Sequence, residues 1–227
     1  LPPARAVEAA RANDCRSIAF TYNEPGTFAE YVMDVSEAAH AAGLRTAMVT
    51  NGYMTTGAVR QVYASIDAAN VDLKAFDDGF YRRVCSASLA PVLDSLVTLK
   101  SMDVWIELTT LIIPGLNDDP TTIAKGARWI VANLGASVPL HLTAYHPSHR
   151  MTDPPRTPRH TLRAAREAAM DAGLDFVYEG NVDSDGANTY CPSCRKLLVR
   201  RSWNSVLEMA LEADGCGRCG RAIPMRL

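Results

Sequence analysis

The feature that most restricts the fold is a rhythm: short apolar segments of strand character alternate with helical patterns at intervals of roughly 25 to 35 residues. The apolar runs are SIAFT at 17–21, RTAMVT at 45–50, NVDL at 70–73, VWIELTTLII at 104–113, PLHLTAY at 139–145 and DFVY at 175–178. Helical periodicity occupies 27–42, 55–66, 89–101, 119–133 and 158–172, between the runs. A connection long enough to hold a helix joins parallel neighbours, whereas an antiparallel pair closes through a tight turn. The predicted class is therefore α/β, a parallel sheet or barrel of βα units. Several runs show little polar alternation, which predicts strands covered on both faces. Pro2 and Pro3 predict a further helix with proline in its first turn at the start of the chain.

The 227 residues, 48% of them hydrophobic, suffice for one sizeable core and a small appendage. Composition changes near residue 180, where NVDSDGANT reads as a polar linker, so the expected domains are 1–180 and 181–227. The 23 basic and 25 acidic residues are evenly scattered and net to −2, which argues against nucleic acid or an anionic membrane surface as partner. No apolar run approaches the roughly 20 residues that cross a bilayer, and no signal segment opens the chain. A soluble cytoplasmic protein is the expectation. Because the first residue is Leu1, the sequence is expected to begin inside a longer protein.

In a parallel βα array, ligands bind where the carboxyl ends of the strands meet the following loops. Five successive runs end there in Tyr22-Asn23-Glu24-Pro25, Thr50-Asn51-Gly52-Tyr53, Asp72-Leu73-Lys74, Pro114-Gly115-Leu116-Asn117-Asp118 and Tyr145-His146-Pro147. Each alone is ordinary turn or cap chemistry. Their recurrence at the same end of consecutive strands predicts a polar rim. One carboxylate, one ammonium and several amides suit a zwitterionic ligand with a sugar, such as an amino acid joined to a nucleoside.

Six cysteines are present. Cys191-Pro192-Ser193-Cys194 and Cys216-Gly217-Arg218-Cys219 are two C-x2-C pairs 21 residues apart, the spacing of a zinc ribbon with four thiolates around one ion. Rubredoxin-type iron and an auxiliary iron-sulfur cluster use comparable frameworks and stay open as alternatives. Four thiolates leave no open coordination position, so the role is structural or partner-facing. Gly220 after the second pair permits a tight turn. Cys15 reads as a small buried hydrophobe, Cys85 as a loop residue near the rim, and His141 as structural.

The ordered set YNEP, TNGY, VDLKAFDDGFYRRVC, VWIELTTLIIPGLNDD, HLTAYHPSHRMTDPPRTP and NTYCPSC resembles the radical S-adenosylmethionine (SAM) enzymes of the AmmeMemoRadiSam system, relatives of pyruvate formate-lyase activating enzymes. The resemblance implies a (β/α)6 barrel in which SIAFT is the second strand, so this chain would be a partial barrel lacking its first strand, followed by a zinc-ribbon-like module. It also implies roles. Glu24, with Asn23 beside it, stands where that family binds the methionine ammonium of SAM. Asn51 matches the ribose-contacting segment, Asp72 and Lys74 an Asp-x-Lys motif at the SAM carboxylate, and His146 a position beside the adenosine. The family's C-x3-C-x2-C motif for a [4Fe-4S] cluster is not in these 227 residues, so its ligands are expected upstream of Leu1. Reductive cleavage of SAM to a 5′-deoxyadenosyl radical that abstracts hydrogen is the implied chemistry. A reductant such as ferredoxin or flavodoxin and a protein substrate or Memo-like partner are the implied partners.

Two rivals come from other classes. One is a non-radical βα lyase or aldolase with Lys74 as Schiff base or His146 as general base. The other is a non-enzymatic scaffold in which the metal ribbon binds a partner.

Overall fold

The structure is a computed structural model in which residues 1–202, 205–212 and 215–225 are described. Each predicted strand forms: β1 (Ser17–Phe20), β2 (Arg45–Thr50), β3 (Ala68–Asp72), β4 (Trp105–Ile112), β5 (Leu140–Ala144) and β6 (Val177–Gly180). They make one sheet in the order β1-β2-β3-β4-β5-β6. The β1/β2, β2/β3 and β5/β6 pairings are parallel, as the helix-length connections require. The architecture is the expected α/β class.

The chain divides into two compact units, Leu1–Leu73 with Ala87–Leu108, and Lys74–Ser86 with Thr109–Leu227. In the first, α1 (Pro3–Ala12) starts at proline as predicted and buries Val7 with Ala39 and Leu44. The helices α2 (Ala29–Ala41), α3 (Thr56–Val62) and α5 (Ala90–Ser101), the last after α4 (Asp78–Val84) in sequence, bury Val32, Val35, Val59, Val92, Leu96 and Leu99. At the amino ends of β2 and β3, Asp67 ties the strands together. Its carboxylate accepts from the Thr46 amide at 2.8 Å and pairs with Arg45 at 3.0 Å and His40 at 2.9 Å. Burial opposes ionisation there, but these hydrogen bonds outweigh it and hold the carboxyl down at about 2.

In the second unit, α6 (Pro120–Asn133) and α7 (Arg159–Asp171) bury Ala127, Ile130, Leu162, Ala165 and Ala169. Beyond β6 the chain changes character. Strands β7 (Thr189–Tyr190), β8 (Leu197–Ser202) and β9 (Ser205–Met209) pair antiparallel, as do β10 (Leu211–Glu212) and β11 (Gly215–Cys216). Their core is small: Cys191, Leu198, Val199, Cys216 and Ile223, joined by Phe176 just before β6.

One expectation is corrected. Burial alternates residue by residue along β3, β4, β5 and β6, so each of these strands has one fully buried face and one half-buried face. On β4, Ile106, Leu108, Thr110 and Ile112 are buried, while Trp105, Glu107, Thr109 and Leu111 lie on the opposite, half-buried side. The helices supply the first cover only. The apolar run at 104–113 concealed this because Trp and Leu interleave with Glu and Thr on the half-buried positions.

Candidate functional site

Glu24 ends the first strand-loop segment because Pro25 and Gly26 turn the chain into a 3-10 turn over Pro25–Phe28. Its carboxylate does cap that turn, accepting from the Gly26 amide at 3.2 Å. The same Oε1 accepts from the Thr50 hydroxyl at 2.6 Å, and Oε2 accepts from the Asn51 amide at 2.7 Å. The plain cap and the rim group are thus one residue. Glu24 and Asn51, predicted separately, are brought together here. Asn23 is exposed beside them, its amide bonded to the Thr21 carbonyl at 3.1 Å.

The TNG segment is itself rigid. Gly52 adopts φ +65°, and a Cβ there would stand 2.7 Å from Val71 Cγ1, so only glycine fits. Its amide donates to Thr50 Oγ1 at 3.1 Å. Asn51 Oδ1 accepts from the Tyr53 amide at 2.8 Å, an Asx turn that fixes the side chain. The Asn51 side-chain NH2 then points its two donors elsewhere, in an exposed position. Thr50 is 2% exposed and was not singled out by the sequence, although it stands inside the motif. Tyr63, also 2% exposed, lies near this group. Burial pushes its phenol well above the ordinary value, with a pull downward from Thr50 and a push upward from the Glu24 charge.

Asp72 is the last residue of β3, half-buried on the face opposite Val71. In the second unit, Lys74 is held by its backbone. Its N–H donates to the Tyr81 hydroxyl at 3.1 Å, and its carbonyl accepts from Asn117 Nδ2 at 2.7 Å. Asn117 was predicted at the rim, but its side chain is 7% exposed and fully engaged. It also donates to the Leu111 carbonyl at 2.8 Å and accepts from the Ile113 amide at 2.7 Å. Its neighbour Asp118 accepts from the Gly115 amide at 2.9 Å. These two side chains build the loop that seats Lys74. Cys85, just past α4, is half-buried; burial pushes its thiol up against an opposing pull from Lys74. His146 is exposed two positions beyond β5. His141 stacks on Tyr178 with ring centroids 5.2 Å apart, in keeping with a structural role.

Cys191, Cys194, Cys216 and Cys219 converge, with all four sulfurs within 4.8 Å of one another. The Cys191–Cys219 and Cys194–Cys216 sulfurs are each 3.6 Å apart. Sulfurs at about 2.3 Å from a tetrahedral zinc stand about 3.8 Å from each other, so the group is spaced for one ion. The two knuckles repeat the same bonds. Cys191 and Cys216 amides donate to the carbonyls of Lys196 and Arg221, and the Arg195 and Gly220 amides donate back to Cys191 and Cys216, at 2.8 to 2.9 Å. Gly220 takes φ +71°, as its place after the pair predicted, and Arg195 takes φ +62° at the equivalent position. The Arg218 amide holds the Cys216 thiol down at about 6. Burial opposes ionisation of Cys191, yet the amides of Cys194 and Ser193 keep it below its ordinary value. Cys15, expected to be buried, is instead exposed in the turn after α1, with its thiol 3.8 Å from the Asn13 carbonyl. Among the described residues no helix is long and apolar enough to cross a membrane.

Comparison with known proteins agrees with the fold. A protein of Methanocaldococcus jannaschii, named only as uncharacterized, is 37% identical over the whole of this chain and 68% of its own length. The benzylsuccinate synthase activating enzyme of Thauera aromatica is 25% identical over 59% of this chain and 41% of its own. Among solved structures, a domain of a pyruvate-formate lyase-activating enzyme from Bacteroides vulgatus superposes with a TM-score of 0.63 at 19% identity. It covers 73% of this chain and 99% of that domain. Residues 1–125, more than half of the chain, match the radical SAM superfamily. The chain belongs to the radical SAM superfamily and is an enzyme of that type.

Proposed function

We propose that the rim holds SAM, with Glu24 as the seat of its ammonium. The observation that carries this reading is the state of the Glu24 carboxylate. Three donors fix its plane, yet Oε2 accepts only one of them, so an acceptor site remains for an ammonium. Asn51 supplies side-chain amide donors suited to ribose hydroxyls, while Asp72 and Lys74 are assigned to the carboxylate end and His146 to the adenosine. Asn23 completes the first loop. Glu24 and Asn51, which lie together, fit the ammonium and the ribose of that cofactor.

The [4Fe-4S] cluster is a different matter. Its C-x3-C-x2-C motif is not among the 227 residues. When bound, cluster and SAM together supply one-electron cleavage of the sulfonium and a 5′-deoxyadenosyl radical for hydrogen abstraction. What this chain contributes is position: Glu24 orients the amino-acid arm, the seated Lys74 offers a cation, and the TNG segment sets the ribose. We assign zinc, with iron as the alternative, to the four C-terminal thiolates, in a module spanning 181–227 beside a 1–180 partial barrel. A cytoplasmic setting, ferredoxin or flavodoxin as reductant, and a protein substrate or Memo-like partner complete the proposal. The activating enzyme among the relatives supports a protein substrate.

The test is equilibrium binding of SAM to the chain with and without Glu24→Ala. The variant is expected to bind at least tenfold more weakly, the scale of a lost hydrogen-bonded charge pair. Unchanged affinity would remove Glu24 from the site.

A further inference from the structure

We infer that Thr50 is a positioning residue for the Glu24 carboxylate, which it holds so that a single acceptor site, on Oε2, faces the ligand. This inference rests on the proposed SAM site. It follows from counting donors against lone pairs. Each carboxylate oxygen has two good acceptor positions. Oε1 is filled by the Gly26 amide at 3.2 Å and the Thr50 hydroxyl at 2.6 Å. Oε2 is half filled by the Asn51 amide at 2.7 Å.

The direction of the Thr50 bond is settled by its neighbours. An amide N–H can only donate, and that of Gly52 donates to Thr50 Oγ1 at 3.1 Å. The carboxylate can only accept, so the single hydroxyl proton goes to Glu24. A one-way relay results, from the Gly52 amide through the Thr50 hydroxyl to Glu24 Oε1. Thr50 is 2% exposed at the end of β2, and its register partner on β3 is Val71, whose side chain closes on Gly52. The hydroxyl is therefore held by the sheet itself, and a short bond to a charged acceptor fixes the carboxylate's rotation about its last torsion. The consequence is a seat for one N–H donor. A planar guanidinium, which needs both oxygens, finds only one, so the relay also selects an ammonium.

The experiment measures binding of SAM and of 5′-methylthioadenosine, which has the adenosine without the amino-acid arm, by calorimetry. The chain is compared with Thr50→Val, which keeps the shape and removes the hydroxyl, and with Thr50→Ser, which keeps the hydroxyl. Thr50→Val is expected to weaken SAM about tenfold, as for a hydrogen bond to a charged group, and to leave 5′-methylthioadenosine within about twofold. Thr50→Ser should restore SAM binding, and in a Glu24→Ala background Thr50→Val should have no further effect. The inference is overturned if Thr50→Val binds SAM normally, weakens both ligands alike, or adds its full penalty to Glu24→Ala. If Thr50→Val does not fold, Thr50→Ala decides: SAM weakened with 5′-methylthioadenosine unchanged supports the role, and SAM unchanged or both ligands weakened alike overturns it. Glu24→Ala with unchanged SAM affinity is the separate outcome that removes the proposed site as well.

Discussion

Replacing Asp67 with asparagine should cost stability at neutral pH and almost nothing in strong acid. The carboxyl is held at about 2 against an ordinary 3.8. At about 1.4 kcal/mol per pH unit, that difference is worth about 2.5 kcal/mol to the folded chain. Asp67 itself is 19% exposed, but Arg45 is 75% and His40 39% exposed, so solvent screens part of the attraction. We therefore expect a loss of about 1 to 2 kcal/mol for Asp67→Asn at pH 7. The sign follows from the depressed value: the folded state favours the ionised carboxylate. Its contribution is complete above the unfolded value near 4 and disappears as pH falls through about 2. A protonated Asp67 and an asparagine are close chemical equivalents, so wild type and variant should converge there. Urea unfolding followed by circular dichroism at pH 7, 5, 3 and 2 measures this. A penalty at pH 2 equal to that at pH 7, or none at pH 7, would refute the electrostatic account. SAM affinity at neutral pH should be untouched, since Asp67 precedes β3 and the proposed ligand groups follow the strands.

Two further expectations concern other parts of the chain. Removal of the C-terminal metal by a chelator, or Cys216→Ser, should abolish a one-to-one metal content measured by elemental analysis and expose the 189–223 segment to proteolysis. That small core has few apolar groups beyond the cysteines themselves, so retained protease resistance without metal would count against a structural ion. Gly52→Ala forces a Cβ to 2.7 Å from Val71 Cγ1 at a positive φ and should cost about 1 to 3 kcal/mol in thermal unfolding. A neutral result would mean the TNG turn is looser than described.

Much of this was legible in the sequence for a plain physical reason. Strand positions such as those of RTAMVT and SIAFT mix apolar with β-branched residues, and the intervening segments are long enough for helices, so strand order follows chain order. The paired cysteines were legible because thiolate spacing in a tight turn is a local property. Tertiary partners were not. Nothing local says that the Asn117 amide is consumed by Leu111, Ile113 and Lys74, so a rim residue and a backbone clamp read alike. Thr50 escaped because its partner lies 26 residues away. Cys15 was misjudged because a small side chain in a turn carries no sign of which way the turn faces. Arg195 gave no hint of its left-handed backbone, since the expected residue there is glycine, as Gly220 is in the matching knuckle.

The alternating burial of the central strands has a consequence for how such a chain can change over time. Every second residue answers to the helices and is constrained by packing density, where even one methylene is felt. The residues between answer to a different constraint. Asn70 and Asp72 on β3, Trp105 and Glu107 on β4, and His141 and Thr143 on β5 occupy those intermediate positions. A substitution at one of them alters polarity, charge or shape without opening a cavity in the core. One strand thus carries two records in alternate letters, one written by packing against the core and one written by the polar and ring contacts of its half-buried side chains, such as Trp105 with Glu107 and His141 with Tyr178.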